Sequence, residues 1–139
     1  MTAAAYSDNG LGWMLDDLVG SVPGLRDVTL FSGDGLVLAH SATLGRDDAD
    51  RLAAGMSGLR SLSSNSGEPT VDGPWRQTVV EFDQTYALLV AAGDGAYLAG
   101  RAWAETADVG DIAFALHKLV DRVRAEMASP ARVDVGRSA

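Results

Sequence analysis

The 139-residue sequence contains no cysteine, so a disulfide framework, a thiolate metal site and a cysteine nucleophile are all excluded. Histidine is nearly as scarce. His40 and His117 have no serine, carboxylate or second histidine at the spacing of a catalytic triad or a metal site, and both read as surface or cap residues. Basic residues are also in deficit: 11 Lys and Arg face 19 Asp and Glu, a net charge of -8, and the basic ones are scattered rather than gathered in a patch. Such a chain repels phosphate backbones and anionic lipid heads, which argues against nucleic-acid binding and against membrane insertion. No apolar run is long; residues 86–92 fall far short of a membrane span. The opening MTAAAYSDNG lacks the basic start and apolar core of a signal peptide, and a cytoplasmic location is the expectation.

The residues present point to one globular domain, with 47% apolar and 22% charged residues. Its organising stretch is residues 45–66, GRDDADRLAAGMSGLRSLSSNS, which reads as a helix with two apolar sides. At about 100° per residue, Ala49, Leu52, Ala53, Met56 and Leu59 form the stripe that would pack on a sheet. Arg51, Ala54, Gly55, Gly58 and Leu62 form a second row, and most of these are too small to cover anything alone. Each glycine inside a helix costs about 1 kcal/mol relative to alanine, so the row asks for a compensating contact. Close approach by another helix would supply it; the plainer alternative is that Gly55 and Gly58 fit beneath a nearby loop. The acidic run at Asp47, Asp48 and Asp50 suits the positive end of the helix dipole and is not read as a metal site.

Around this helix the pattern is regular. Residues 11–22 carry Leu11, Met14, Leu15, Leu18, Val19 and Val22 at helical spacing, with Ser7, Asp8 or Asn9 as an N-cap and Pro23-Gly24 as the stop. Trp13 points away from that stripe, a candidate contact residue. Two β-prone runs, 26–32 and 36–41, flank Gly33-Asp34-Gly35 and predict a hairpin. Residues 65–74 read as a loop. Three strands follow at 75–82, 85–92 and 96–104, punctuated by Asp83-Gln84 and Gly93-Asp94-Gly95. Both alternating sets of 86–92 are apolar, so the sheet should be covered on both faces; the mixed run 75–82 suits an edge strand. Residues 108–127 form a strongly amphipathic helix with Asp108 near its cap and Phe114 off the stripe. Residues 1–10 are expected to be flexible, 11–127 to form the domain and 128–139 to be a disordered tail. Neither GDG has the glycine pattern of a phosphate loop, since each joins two strands, and no cofactor is implied.

The order helix, two strands, helix, three strands, helix resembles the Roadblock/dynein light chain family, especially small acidic bacterial members found in operons beside a Ras-like GTPase and a sensor-kinase-like protein. The residues carrying the likeness are Trp13-Met14-Leu15-Asp16-Asp17-Leu18-Val19 with Val22-Pro23-Gly24, and the run from Leu30 to Ala39 around Gly33-Asp34-Gly35. Asp47-Asp48-Ala49-Asp50-Arg51-Leu52-Ala53-Ala54, Arg76-Gln77-Thr78-Val79-Val80-Glu81 and Ala91-Ala92-Gly93-Asp94-Gly95-Ala96 continue it. The resemblance implies an α+β fold, a five-stranded antiparallel sheet between helices, with the middle helix on one face and the first and last on the other. It also implies a homodimer that pairs the middle helices and the strand after them, binds a small Ras-like GTPase and modulates GTP hydrolysis in some members. The candidate interface residues, for the twin or the GTPase, are then Arg51, Ala54, Gly55, Gly58, Leu62 and Trp75; Arg46, Arg51 and Arg60 are the candidates for donating positive charge to a phosphoryl group. No catalytic residue of its own is expected. The competing expectation is a small-molecule sensory domain, with a pocket made by the small residues Ala91, Ala92, Ala96, Ala99 and Gly100 between sheet and helices.

Overall fold

A computed structural model describes residues 10–128. The expectations for the N-terminal segment and for the tail therefore lie, apart from Gly10 and Ala128, outside the described residues, as do Ser7, Asp8 and Asn9. The elements are α1 (Leu11–Ser21), β1 (Leu25–Ser32), β2 (Val37–His40), α2 (Arg46–Ser64), α3 (Pro69–Asp72), β3 (Gln77–Glu81), β4 (Thr85–Ala91), β5 (Ala96–Trp103) and α4 (Val109–Met127). All strand pairings are antiparallel and the sheet runs β2-β1-β5-β4-β3. The chain thus has the α+β, five-stranded architecture expected of it.

Three local expectations are corrected. The loop at 65–74 contains the single-turn helix α3, with Pro69 in its first turn and the Asp72 carboxylate accepting the Glu68 N–H at 2.6 Å. The edge strand is shorter than residues 75–82, because Trp75 turns its indole N–H to the Thr78 hydroxyl, 2.8 Å away, before the ladder begins. The position before α1 is Gly10, in a left-handed conformation with no side-chain cap. The GDG hairpin forms as read: Gly35 adopts φ 87, its N–H donates to the Ser32 carbonyl, and the register shifts between Leu30 and Phe31.

Each face of the sheet has its own core. Leu88 and Val90 of β4, Ala92 just after it and Leu98 of β5 pack under α1 and α4, against Leu15, Ile112, Leu116, Leu119 and Val123. Ala87, Leu89, Ala99 and Phe31 face the other way, under Ala49, Ala53 and Met56 of α2. The doubly apolar pattern of β4 therefore reports a sheet covered on both sides. Asp108 caps α4 by accepting the Asp111 N–H at 3.0 Å.

Candidate interaction surface

Of the α2 stripe, Ala49, Ala53 and Met56 are buried, while Leu52 and Leu59 are only half-buried on the flank nearer β3. The second row faces outward: Arg51, Ala54, Gly55, Gly58 and Leu62 are exposed, Leu62 to 74%. A Cβ placed on Gly55 or Gly58 would meet no atom within 4 Å. No loop of the described chain lies over them, so the plainer alternative for the two glycines does not hold within this fold. Trp75 is half-buried, its ring 6.3 Å from that of Tyr97, at the β3 end of the same sheet face.

Beside α2 the sheet is left open. A groove of about 580 Å³ runs between the helix and β3, walled by Leu52, Gly55, Met56 and Leu59 on one side and Val80 and Phe82 on the other. Phe82 is 58% exposed. Sequence reading missed this groove because it assigned Leu52 and Leu59 wholly to the buried stripe. A signal was present: Asp48, Leu52, Gly55, Leu59 and Leu62 recur at spacings of four and three residues, the spacing of a helix seam.

Arg26, Arg51 and Arg101 gather at one end of the groove. Arg101 is locked by two hydrogen bonds, at 2.9 and 2.8 Å, to the buried carboxylate of Asp27 on the neighbouring strand. That hydrogen bonding raises the Arg101 pKa above its ordinary value against the opposing effect of burial, so the guanidinium stays charged. Arg26 sits where the β1–β5 register shifts; it lies 4.0 Å from the Trp103 ring centroid and donates to the Thr85 hydroxyl at 3.0 Å. Arg51 donates to Asp48 at 2.7 Å and Arg46 lies 3.4 Å from Asp50. Arg60 belongs to the inner side of α2, its guanidinium 4.9 Å from the Tyr97 ring and its buried Nε without an acceptor. Arg51 is exposed and meets only the exposed Asp48, Arg46 is partly exposed beside Asp50, and Arg60 alone is turned inward.

Other candidate residues are dispersed. His40 Nδ1 donates to the Ser41 carbonyl at 2.9 Å, and His117 contacts the Gln77 amide oxygen at 2.8 Å, tying α4 to the edge strand. Among the described residues no group of three His, Cys, Asp or Glu could hold a metal ion, and no helix is long and apolar enough to cross a membrane. The small residues offered for a pocket instead admit the helices. A Cβ on Gly100 would lie 2.9 Å from a Leu116 methyl, and Ala99 is buried beneath α2. Trp13 and Phe114 are exposed on the far side, overlain by Arg122 at 5.7 Å and Lys118 at 5.5 Å.

The arrangement defines a three-layer α+β domain with one closed sheet face and one half-open one. The Roadblock/LC7 domain family matches residues 11–102. A Roadblock/LC7 domain from Streptomyces avermitilis is 36% identical and superposes with a TM-score of 0.77, covering 85% of this chain and 98% of that one. The chain belongs to the Roadblock/LC7 family. Its fold is shared by the gliding protein MglB from Thermus thermophilus, at 17% identity and TM-score 0.72 over 88% and 90% of the two chains. Myxococcus xanthus MglB is similar too, at 14% identity and TM-score 0.74 over 85% and 87%. No curated protein matches the sequence.

Proposed function

We propose that the chain is a non-enzymatic, homodimeric regulator or scaffold that binds a small Ras-like GTPase, with a sensor-kinase-like protein as a further partner. The observation that carries this reading is the open side of α2: two helical glycines with none of the described residues over them, beside an apolar groove on a sheet face that α2 covers only in part. Apolar surface of this kind marks a place for another macromolecule. Family membership and the fold shared with the MglB proteins support a regulatory or scaffold role. An effect on GTP hydrolysis would come from ordering the GTPase's own loops. Arg46 and Arg51 are paired with Asp50 and Asp48, and Arg60 lies on Tyr97, which favours this indirect route over donation of a charge to the phosphoryl group.

Mixing the protein with purified small Ras-like GTPases, in GDP and GTP forms, and following both binding and GTP turnover tests the reading. A complex containing two copies of this chain is expected. Faster turnover identifies an activator and unchanged turnover a scaffold, whereas absence of binding to either form overturns the proposal.

A further inference from the structure

We propose that the outer surface of α1 and α4, on the side of the sheet away from α2, is a docking site for an amphipathic helix of a protein partner, one with apolar side chains two turns apart and carboxylates between them. This surface is separate from the one offered to the GTPase, and the inference does not depend on that reading.

Trp13 of α1 and Phe114 of α4 are 66% and 67% exposed, each on the outer side of a helix whose other side is packed on the sheet. The two helices run antiparallel. A Cβ on Gly10 would lie 3.8 Å from the Glu126 carboxylate, and Arg122 reaches α1 twice, 3.6 Å from Asp17 and 5.7 Å from the Trp13 ring. Along α4, Phe114, Lys118 and Arg122 recur at four-residue steps and form one exposed row that ends beside Trp13. Eight residues of helix separate the levels of the two rings, about 12 Å or two turns. Nothing on α1 fences the row at its Phe114 end: Gly20 is exposed, and a Cβ there would meet no atom within 4 Å.

Between the rings the row carries cations, in a chain of net charge -8. Lys118 makes no ion pair among the described residues and lies 5.5 Å from the Phe114 ring. Arg122 is held only by Asp17, at 3.6 Å with both side chains half exposed, and Asp16 is spent on the Ala42 N–H at 2.6 Å. A cation over each ring restrains it without covering it. Two helices side by side offer a third the ridges and grooves it packs on, and an incoming helix meets such a seat with its residues i and i+7 in line. Apolar residues at those positions would cover Phe114 and Trp13, while Asp or Glu at i+3 and i+4 come opposite Lys118 and Arg122. A second copy of this chain does not suit, because a two-fold contact through the row sets its two cations against the same two of the twin. An anionic membrane is opposed by the net charge and by the exposed Asp111 and Asp121, which flank the row.

The probe is a synthetic helical peptide of about 20 residues with Leu at i and i+7 and Glu at i+3 and i+4, set against the same peptide with Lys in place of Glu. Titrated into the full chain by calorimetry, the Glu peptide is expected to bind about ten-fold more tightly than the Lys peptide, or better. Trp13→Gln and Phe114→Gln should each weaken it about ten-fold and leave the melting temperature unchanged, since neither ring is buried. Lys118→Glu should reverse the preference between the two peptides, a result that loss of folding cannot produce. If the Glu peptide does not bind, or if Trp13→Gln and Phe114→Gln leave its affinity unchanged while Phe82→Gln in the α2 groove abolishes it, the proposal is overturned. It is overturned equally if the chain passes over the peptide and binds phosphatidylserine vesicles through Trp13 and Phe114, for the surface is then one that takes lipid.

Discussion

The two faces of the sheet are finished differently. On one, α1 and α4 lie abreast and bury large aliphatics, among them Leu15, Leu88, Leu98, Ile112 and Leu116. On the other, α2 lies alone, meets the sheet largely through Ala49, Ala53 and Met56, and leaves the flank toward β3 as a groove. Width explains the difference. Five strands spaced about 4.8 Å apart make a sheet roughly 20 Å across, and a helix with its side chains is about 10 Å wide. Two helices cover such a face and one cannot. The closed face is where the chain keeps its stability, and the half-open face is where it has surface to offer.

That contrast can be attacked in order of expected effect. Arg101→Leu leaves the Asp27 carboxylate, 3% exposed, buried without its cation beside the groove. It should cost about 3–5 kcal/mol in chemical denaturation, making this ion pair the one strong point of the open side. Leu116→Ala on the closed face should cost about 2–5 kcal/mol, whereas Leu52→Ala, half-buried on the groove, should cost under about 1 kcal/mol in dilute protein. Equal costs would erase the distinction between the faces. Gly58→Ala should stabilise the dilute chain by about 1 kcal/mol, because the new methyl meets nothing and the helix loses a poor former. Destabilisation there would show that something in the single chain already occupies the open side.

Much of this was legible before any coordinates. The α4 stripe from Ile112 to Val123 and the alternation of Leu88 and Val90 against Ala87 and Leu89 announced helices on both sides of a sheet. The Gly33-Asp34-Gly35 turn placed the first hairpin. The outward row of α2 was legible too, because two glycines in a helix are costly enough to notice. What stayed hidden depended on neighbours. NSGEPTVDGP reads as loop, and its single turn, α3, is too short to show a period. Arg60 looked like one of three equivalent arginines until Tyr97, from a distant strand, appeared beneath it. The Asp27–Arg101 pair joins residues 74 positions apart, and no local pattern foretold it. Leu52 and Leu59 counted as core by period, yet stand at the lip of the groove because, among the described residues, no second helix flanks α2 on that face.

By itself, then, the sequence determined the three long helices and five strands, their order and the two-sided character of α2, since periodicity and turn chemistry act over a few consecutive residues. The tertiary structure alone decided which flank of α2 lies open, which arginines are spent on carboxylates and rings, and that Gly55 and Val80 share one groove. These depend on where distant segments come to rest against each other, and short-range preferences carry no information about that.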